Sequence, residues 1–248
     1  MTPGWVRKGL FLFLYVVHMP LVEAQDSSIN SWTKPTGGLW EEPVWSSGGL
    51  PAPGQKLITI TNAGSKTVEI GPGTTANFSN SLAINALQIE GHADFTNELF
   101  LNRAGTNVPL SVLWWLTIGT NAPLVSYSSG LSAYEASISS PVLFAENSWM
   151  KIGRILLWSD LTLSNSYASV GLLKVGPGRS VYQFQGSSDL GRLSLDGGSR
   201  FLLEGGKLSL GDLFLVNSSM FESITTNGTA TFVPVSYTHL TLPTILRV

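Results

Sequence analysis

The chain has 248 residues, 12% of them charged, with 14 Lys and Arg against 16 Asp and Glu and a formal net charge of −2. That balance excludes the basic footprint of a nucleic-acid-binding protein, and the lack of any cysteine excludes disulfides, thiolate nucleophiles and thiolate metal sites. Low charge with 26 glycines and abundant Ser, Thr and β-branched residues predicts an all-β chain of short strands and tight turns, with length for one large domain or two smaller ones.

The chain begins MTPGWVRKGLFLFLYVVHMPLVEAQDSS. Arg7 and Lys8 supply a positive start, Leu10 to Val17 an apolar run, and Val22 and Ala24 the small residues before a cleavage point. Residues 1–24 therefore read as a signal peptide, leaving Gln25 as the new N-terminus. The run is too short to cross a bilayer, which takes about 20 apolar residues.

Residues 25–55 form a Trp-, Pro- and Gly-rich segment, with Trp32, Trp40 and Trp45 separated by turn-forming residues. Two roles suit three such tryptophans. They can offer a platform on which sugar rings stack, or they can cap the first layer of a β stack by burying their large apolar surface. The segments KLITIT and KTVEIG then alternate as short strands around a turn at Gly64.

Residues 56–234 carry the strongest pattern. GRILL at 153–157, GLLKV at 171–175, GRLSL at 191–195 and GDLFL at 211–215 share one form at spacings of 18, 20 and 20 residues. Tyr182, Phe201 and Phe221 form a second series, and GS at 186–187 with GG at 205–206 a third. A unit of about 20 residues cannot bury a core alone. Stacked coil upon coil it can, since each turn of chain hydrogen-bonds to the next. The expected fold is a right-handed parallel β-helix (a β-solenoid) with an N-terminal cap. Leu193, Leu195, Leu213 and Leu215 point inward, and each leading Gly sits at a corner where positive φ or crowding excludes a Cβ. Upstream, LAINALQIEG, NELFLNRAG and SVLWWLTIG repeat the theme less regularly. A β-sandwich is the alternative, as it too needs many short strands.

Residues 235–248 break this rhythm. VSYTHLTLPT at 235–244 matches one reading frame of a transposase-type sequencing adapter. The tail is accordingly expected to be adapter-derived, and the natural chain to continue past Pro234.

The stretches WTKPTGGLWEEPVWSSGGLPAPGQ, ITITNAGSKTVEIG and NELFLNRAGTNVPLSV, with the later Gly-rich rungs, resemble exported bacterial proteins with autotransporter-associated β-strand repeats, typical of the Verrucomicrobia. The resemblance covers nearly all of residues 29–232. It implies a secreted or surface-exposed β-solenoid, and it implies no catalytic residues.

The available chemistry is sparse. His92 is the only histidine between the signal segment and the tail, and with Asp94 it makes the one adjacent acid–base pair. No GxSxG elbow accompanies it, and one His without Cys makes a poor zinc site. In a 20-residue register Asp189 falls on Ser209, Asp196 on Val216 and Asp212 on Arg192, so no two acids stack as a sugar-cleaving pair would. Glu41 and Glu42 are expected to face solvent. Asn77, Asn217 and Asn227 begin N-x-S/T triplets and read as turn residues. The sequence thus predicts a non-enzymatic stalk, passenger or adhesin-like module, secreted or on the outer cell surface, with no cofactor or metal. Its expected partners are extracellular polysaccharide or cell-surface components, and no nucleic acid. The second reading is an N-terminal fragment of a carbohydrate-active or carbohydrate-binding β-helix protein, with Trp32, Trp40 and Trp45 as the stacking residues.

Overall fold

The computed structural model describes residues 28–224 and the backbone of 245–247. The expected signal segment, Asn227 and most of the tail expected to be adapter-derived lie outside the described residues. The strands in chain order are β1 (Ile29–Ser31), β2 (Gly38–Leu39), β3 (Leu57–Ile60), β4 (Lys66–Ile70), β5 (Ala83–Ile89), β6 (Asn97–Ile118), β7 (Leu124–Ile138) and β8 (Val142–Ala145). There follow β9 (Trp149–Leu157), β10 (Leu161–Val175), β11 (Ser180–Leu195), β12 (Arg200–Glu204), β13 (Lys207–Leu215), β14 (Met220–Ser223) and β15 (Ile245–Arg247). One short helix, α1 (Pro72–Asn77), and a 3₁₀ turn at Ser79–Leu82 lie between β4 and β5.

Every pairing between these strands is parallel. A sandwich would pair its strands antiparallel, so the fold is the β-solenoid. The registers align side chains into columns along the stack. One runs Ile58, Leu87, Leu116, Ala136, Ile155, Leu173, Leu193, Leu213. The next runs Ile60, Ile89, Ile118, Ile138, Leu157, Val175, Leu195, Leu215. All these residues are buried. Alternation along each strand puts these two columns inside and the residues between them outside.

Coil length changes along the chain. From Ile58 to Leu116 each coil takes 29 residues, and thereafter the steps are 20, 19, 18, 20 and 20. The surplus in the long coils goes into α1, the turn around His92 and an outward excursion of β6, where Gly105 and Leu110 face Ser129 and Leu131. The 20-residue rhythm therefore holds only for the later coils.

The glycines of the four pentapeptides stack as expected, and crowding is the reason. A Cβ on Gly153 would come 2.6 Å from the Tyr134 carbonyl oxygen, and on Gly171 and Gly191 2.6 Å from the oxygens of Gly153 and Gly171. The positive-φ corner is elsewhere, at Ser128, Asn147, Asn165, Gln185 and Gly205 on successive coils. Asn165 there donates its side-chain amide to Asn147 Oδ1 at 3.2 Å.

Two expected series are one residue out. Phe201 pairs with Phe221 but also with Val181, while Tyr182 pairs with Leu202. A shift of one residue turns a strand side chain to the opposite face, so Val181 is buried and Tyr182 half-buried. Similarly, Gly186 packs against Gly206 rather than Gly205. Asn217, at φ 50°, is a turn residue, whereas Asn77 ends α1. The backbone of β15 adds to β14 in parallel, as an open β edge accepts any extended segment.

Candidate functional site

The N-terminal segment is the first layer of the stack, since β1 pairs with β3 and β2 with β4. Trp32, Trp40 and Trp45 are 1%, 0% and 3% exposed. Their rings meet edge to face, with centroids 5.2 Å apart for Trp32 and Trp45 and 5.0 Å for Trp40 and Trp45. The indole N–H groups are used internally, Trp32 to Thr36 O, Trp40 to Ser81 Oγ and Trp45 to Trp40 O. A buried ring offers no face to a sugar, so the stacking role expected for these three is corrected. They close the end of the apolar interior instead.

Glu41 and Glu42 also differ from expectation, being half-buried. Glu41 accepts from Thr74 Oγ1 at 2.6 Å, and Glu42 pairs with Lys34 at 2.9 Å while accepting the Leu39 N–H at 2.9 Å. The Lys34 hydrogen bond and the Leu39 amide hold the Glu42 carboxyl below its ordinary pKa. His92 and Asp94 approach to 3.4 Å, but their side chains are 64% and 88% exposed. His92 stacks on Phe95 at 5.7 Å. This is a solvated turn.

Of the grooves on the long coils, two are lined by charged or aromatic side chains that bear on function. The first, of about 520 Å³, is lined by Gly37, Gly38, Leu39, Lys66, Glu69 and Glu98 among others. Thr67 pairs with Glu98 and Glu69 with Phe100, so the two acids sit two positions apart on neighbouring coils. Reading the chain in a 20-residue register could not bring them together. Each is engaged with a side chain, Glu98 accepting from Thr67 at 2.6 Å and Glu69 from Asn102 at 2.8 Å. Lys66 is buried beside them and donates to Asn62 O at 2.6 Å, Gly64 O at 2.5 Å, Ala63 O at 3.3 Å and Asn97 Oδ1 at 2.7 Å. Burial pulls its ammonium below the usual lysine pKa, and the oxygens around it tie the 62–66 turn to the next coil. The groove thus reads as a braced joint.

The second groove, of about 580 Å³, is lined by Gly54, Lys56, Leu57, Asn85, Ala86, Trp114, Trp115 and Thr117. It arises from a bulge. Val112 and Trp115 on β6 face Ile84 and Ala86 on one side and Ala133 and Glu135 on the other. Two residues of β6, Leu113 and Trp114, thus stand against one on each neighbour. The extra residue breaks alternation, leaving Leu113, Trp114 and Trp115 50%, 56% and 60% exposed. Tyr134 on the next coil, 65% exposed, meets Trp114 edge to face at 6.1 Å. Val112 stays buried; the neighbouring coils carry two outward residues at this corner, Asn85 with Ala86 and Tyr134 with Glu135, and β6 carries three.

Along the short coils two outward ion pairs bridge adjacent rungs. Arg192 reaches Asp212 at 3.2 Å and Arg154 reaches Glu135 at 3.7 Å, the first as the 20-residue register expects. Among the described residues no cluster of three His, Asp or Glu could hold a metal ion, and no helix is long and apolar enough to cross a membrane. The chain matches no protein-family model, no curated protein and no solved structure.

Proposed function

We propose that the chain is an exported β-solenoid of the kind that carries autotransporter-associated β-strand repeats. It serves outside the cell, secreted or on the outer surface, as a stalk, passenger or adhesin-like module with no reaction of its own. The observation that carries this reading is the unbroken interior of stacked columns. Each coil adds ~4.8 Å of length, so this architecture turns chain into rigid reach. Two outward acids of the short coils, Glu135 and Asp212, form ion pairs with Arg154 and Arg192, which favours a structural use of charge. The tripartite pattern of residues 1–24 supports the export step.

The test is expression of the full chain in a bacterial host, followed by fractionation and intact-mass analysis. The expected product lies outside the cytoplasm and begins at Gln25. An uncleaved chain retained in the cytoplasm would refute the export reading.

A further inference from the structure

We propose that the groove bounded by Trp114 and Trp115, with Tyr134 at its rim, is a binding site for an uncharged, hydroxyl-rich polysaccharide. The site stands on its own geometry and holds whether or not the solenoid acts as a stalk. Large exposed aromatics are costly to leave in water, and such patches mark interaction surfaces. Here three of them occur together on one corner. On each neighbouring coil two residues stand outward at this corner, and the β6 bulge adds a third, so that Leu113, Trp114 and Trp115 all face out beside Tyr134; bulges commonly re-aim side chains at binding sites.

The lining selects the occupant. Indole faces suit the C–H faces of pyranose rings, which are apolar, while the rim of each ring carries hydroxyls. Asn85, Lys56 and Thr117 stand in the same groove as Trp114 and Trp115 and can hydrogen-bond that rim. Asn85 is held in place, donating to Pro53 O at 2.7 Å and Gln55 O at 3.0 Å. The only charge in the lining is Lys56. A lipid surface would call for a basic cluster around the aromatics. An acidic polymer would call for more than one cation. A neutral glycan needs neither.

The surface beside the platform fits an extended chain. On the coils after Tyr134 the same corner is taken by Gly153, Gly171, Gly191 and Gly211, which are exposed. This leaves a bare track along the solenoid axis. Ser132, Lys151, Ser169, Asp189 and Ser209 border it on one side. A polymer seated on the tryptophans can therefore run on along the glycine column, between that edge and the column of Arg154, Leu172, Arg192 and Asp212.

The experiment is a depletion-binding assay of the full chain against insoluble cellulose, chitin and xylan. The double variant W114A/W115A and the single variant Trp158→Ala are compared with the wild type. Trp158 is also an exposed tryptophan but lies on a different corner, against Gly176. The expected result is binding to at least one polymer, weakened about tenfold or more in the double variant and unchanged by Trp158→Ala. Circular dichroism and the thermal midpoint of the double variant should match the wild type, since neither side chain is buried. Trp114→Tyr, which keeps an aromatic face, should retain more binding than Trp114→Ala. Failure of the wild type to bind any of the three polymers overturns the proposal. So does binding that the double variant leaves intact, or that Trp158→Ala weakens equally.

Discussion

Replacing Gly191 with alanine tests coil-on-coil packing at one atom. The new Cβ would lie 2.6 Å from the Gly171 carbonyl oxygen, whereas real Cβ atoms essentially never come within 3.0 Å of a neighbour. The two backbones must therefore part by at least about 0.4 Å, in the range where forced overpacking becomes costly. The carbonyl cannot swing aside, because Val170 and Leu172 are held in register with Leu190 and Arg192 on either side of it. Overpacking against a fixed neighbour costs about 1–3 kcal/mol. For a chain of this size that lowers the thermal midpoint by roughly 2–12 °C. Gly49→Ala is the control, since a Cβ there meets nothing within 4 Å and its φ is ordinary. It should shift stability by less than about 0.5 kcal/mol. The assay is denaturant unfolding of both variants, with hydrogen exchange to localise the damage. Loss of protection should centre on the coils holding Gly171, Gly191 and Gly211, because each coil of a solenoid contacts only its neighbours. Equal stability of Gly191→Ala and Gly49→Ala would refute the stacked arrangement itself.

Three further outcomes follow from the same geometry. Trp40→Ala, which empties a fully buried site and removes the indole hydrogen bond to Ser81, should cost about 3–5 kcal/mol in denaturant unfolding while leaving polysaccharide binding of the folded fraction unchanged. Gln183→Leu should lose about 1–3 kcal/mol, because Gln183 accepts from Ser188 at 2.7 Å and donates to Lys207 O at 3.1 Å inside the core; adding Ser188→Ala should recover part of that loss. Glu42→Gln should remove a surface pair worth about 0.2–1 kcal/mol. Because the folded pKa of Glu42 lies below the ordinary 4.5, that stability is complete above 4.5 and disappears as pH falls through the folded value. Acid titration of the variant should lack this component.

The later coils were legible because their side-chain columns recur at nearly constant spacing. Gly153, Gly171, Gly191 and Gly211 each precede two inward apolar residues, and a corner too tight for a Cβ enforces glycine every time. Tyr182 misled because an aromatic next to a β-branched residue carries no sign of which one faces inward. The pairing of Val181 with Phe201 decides that, and it is a property of two coils rather than one. The tryptophan cap was legible as a possibility but not as an outcome, since Trp32, Trp40 and Trp45 have the same composition whether buried or displayed. Trp114 and Trp115 gave no local signal at all. They fall at a corner where each coil turns two residues outward, and one extra residue in β6 widens that to three, which only the register reveals.

The slips at Tyr182 and Gly186 lie on the regular coils, but the larger departures from the 20-residue pattern coincide with the candidate surfaces, and there is a physical reason. A short coil of 18–20 residues spends nearly all its chain on paired backbone and inward side chains, so it repeats and can be read. The long coils between Ile58 and Leu116 carry about nine residues each beyond that minimum. Those residues are free of the stacking constraint, and they build α1, the Lys66 joint, the β6 excursion and the groove lined by Trp114 and Trp115. Local departures from a regular pattern tend to lie where function is placed. In this solenoid the irregular coils near the N-terminal end are therefore where recognition is to be sought, while the regular coils beyond them supply reach and a smooth corner for whatever is held there.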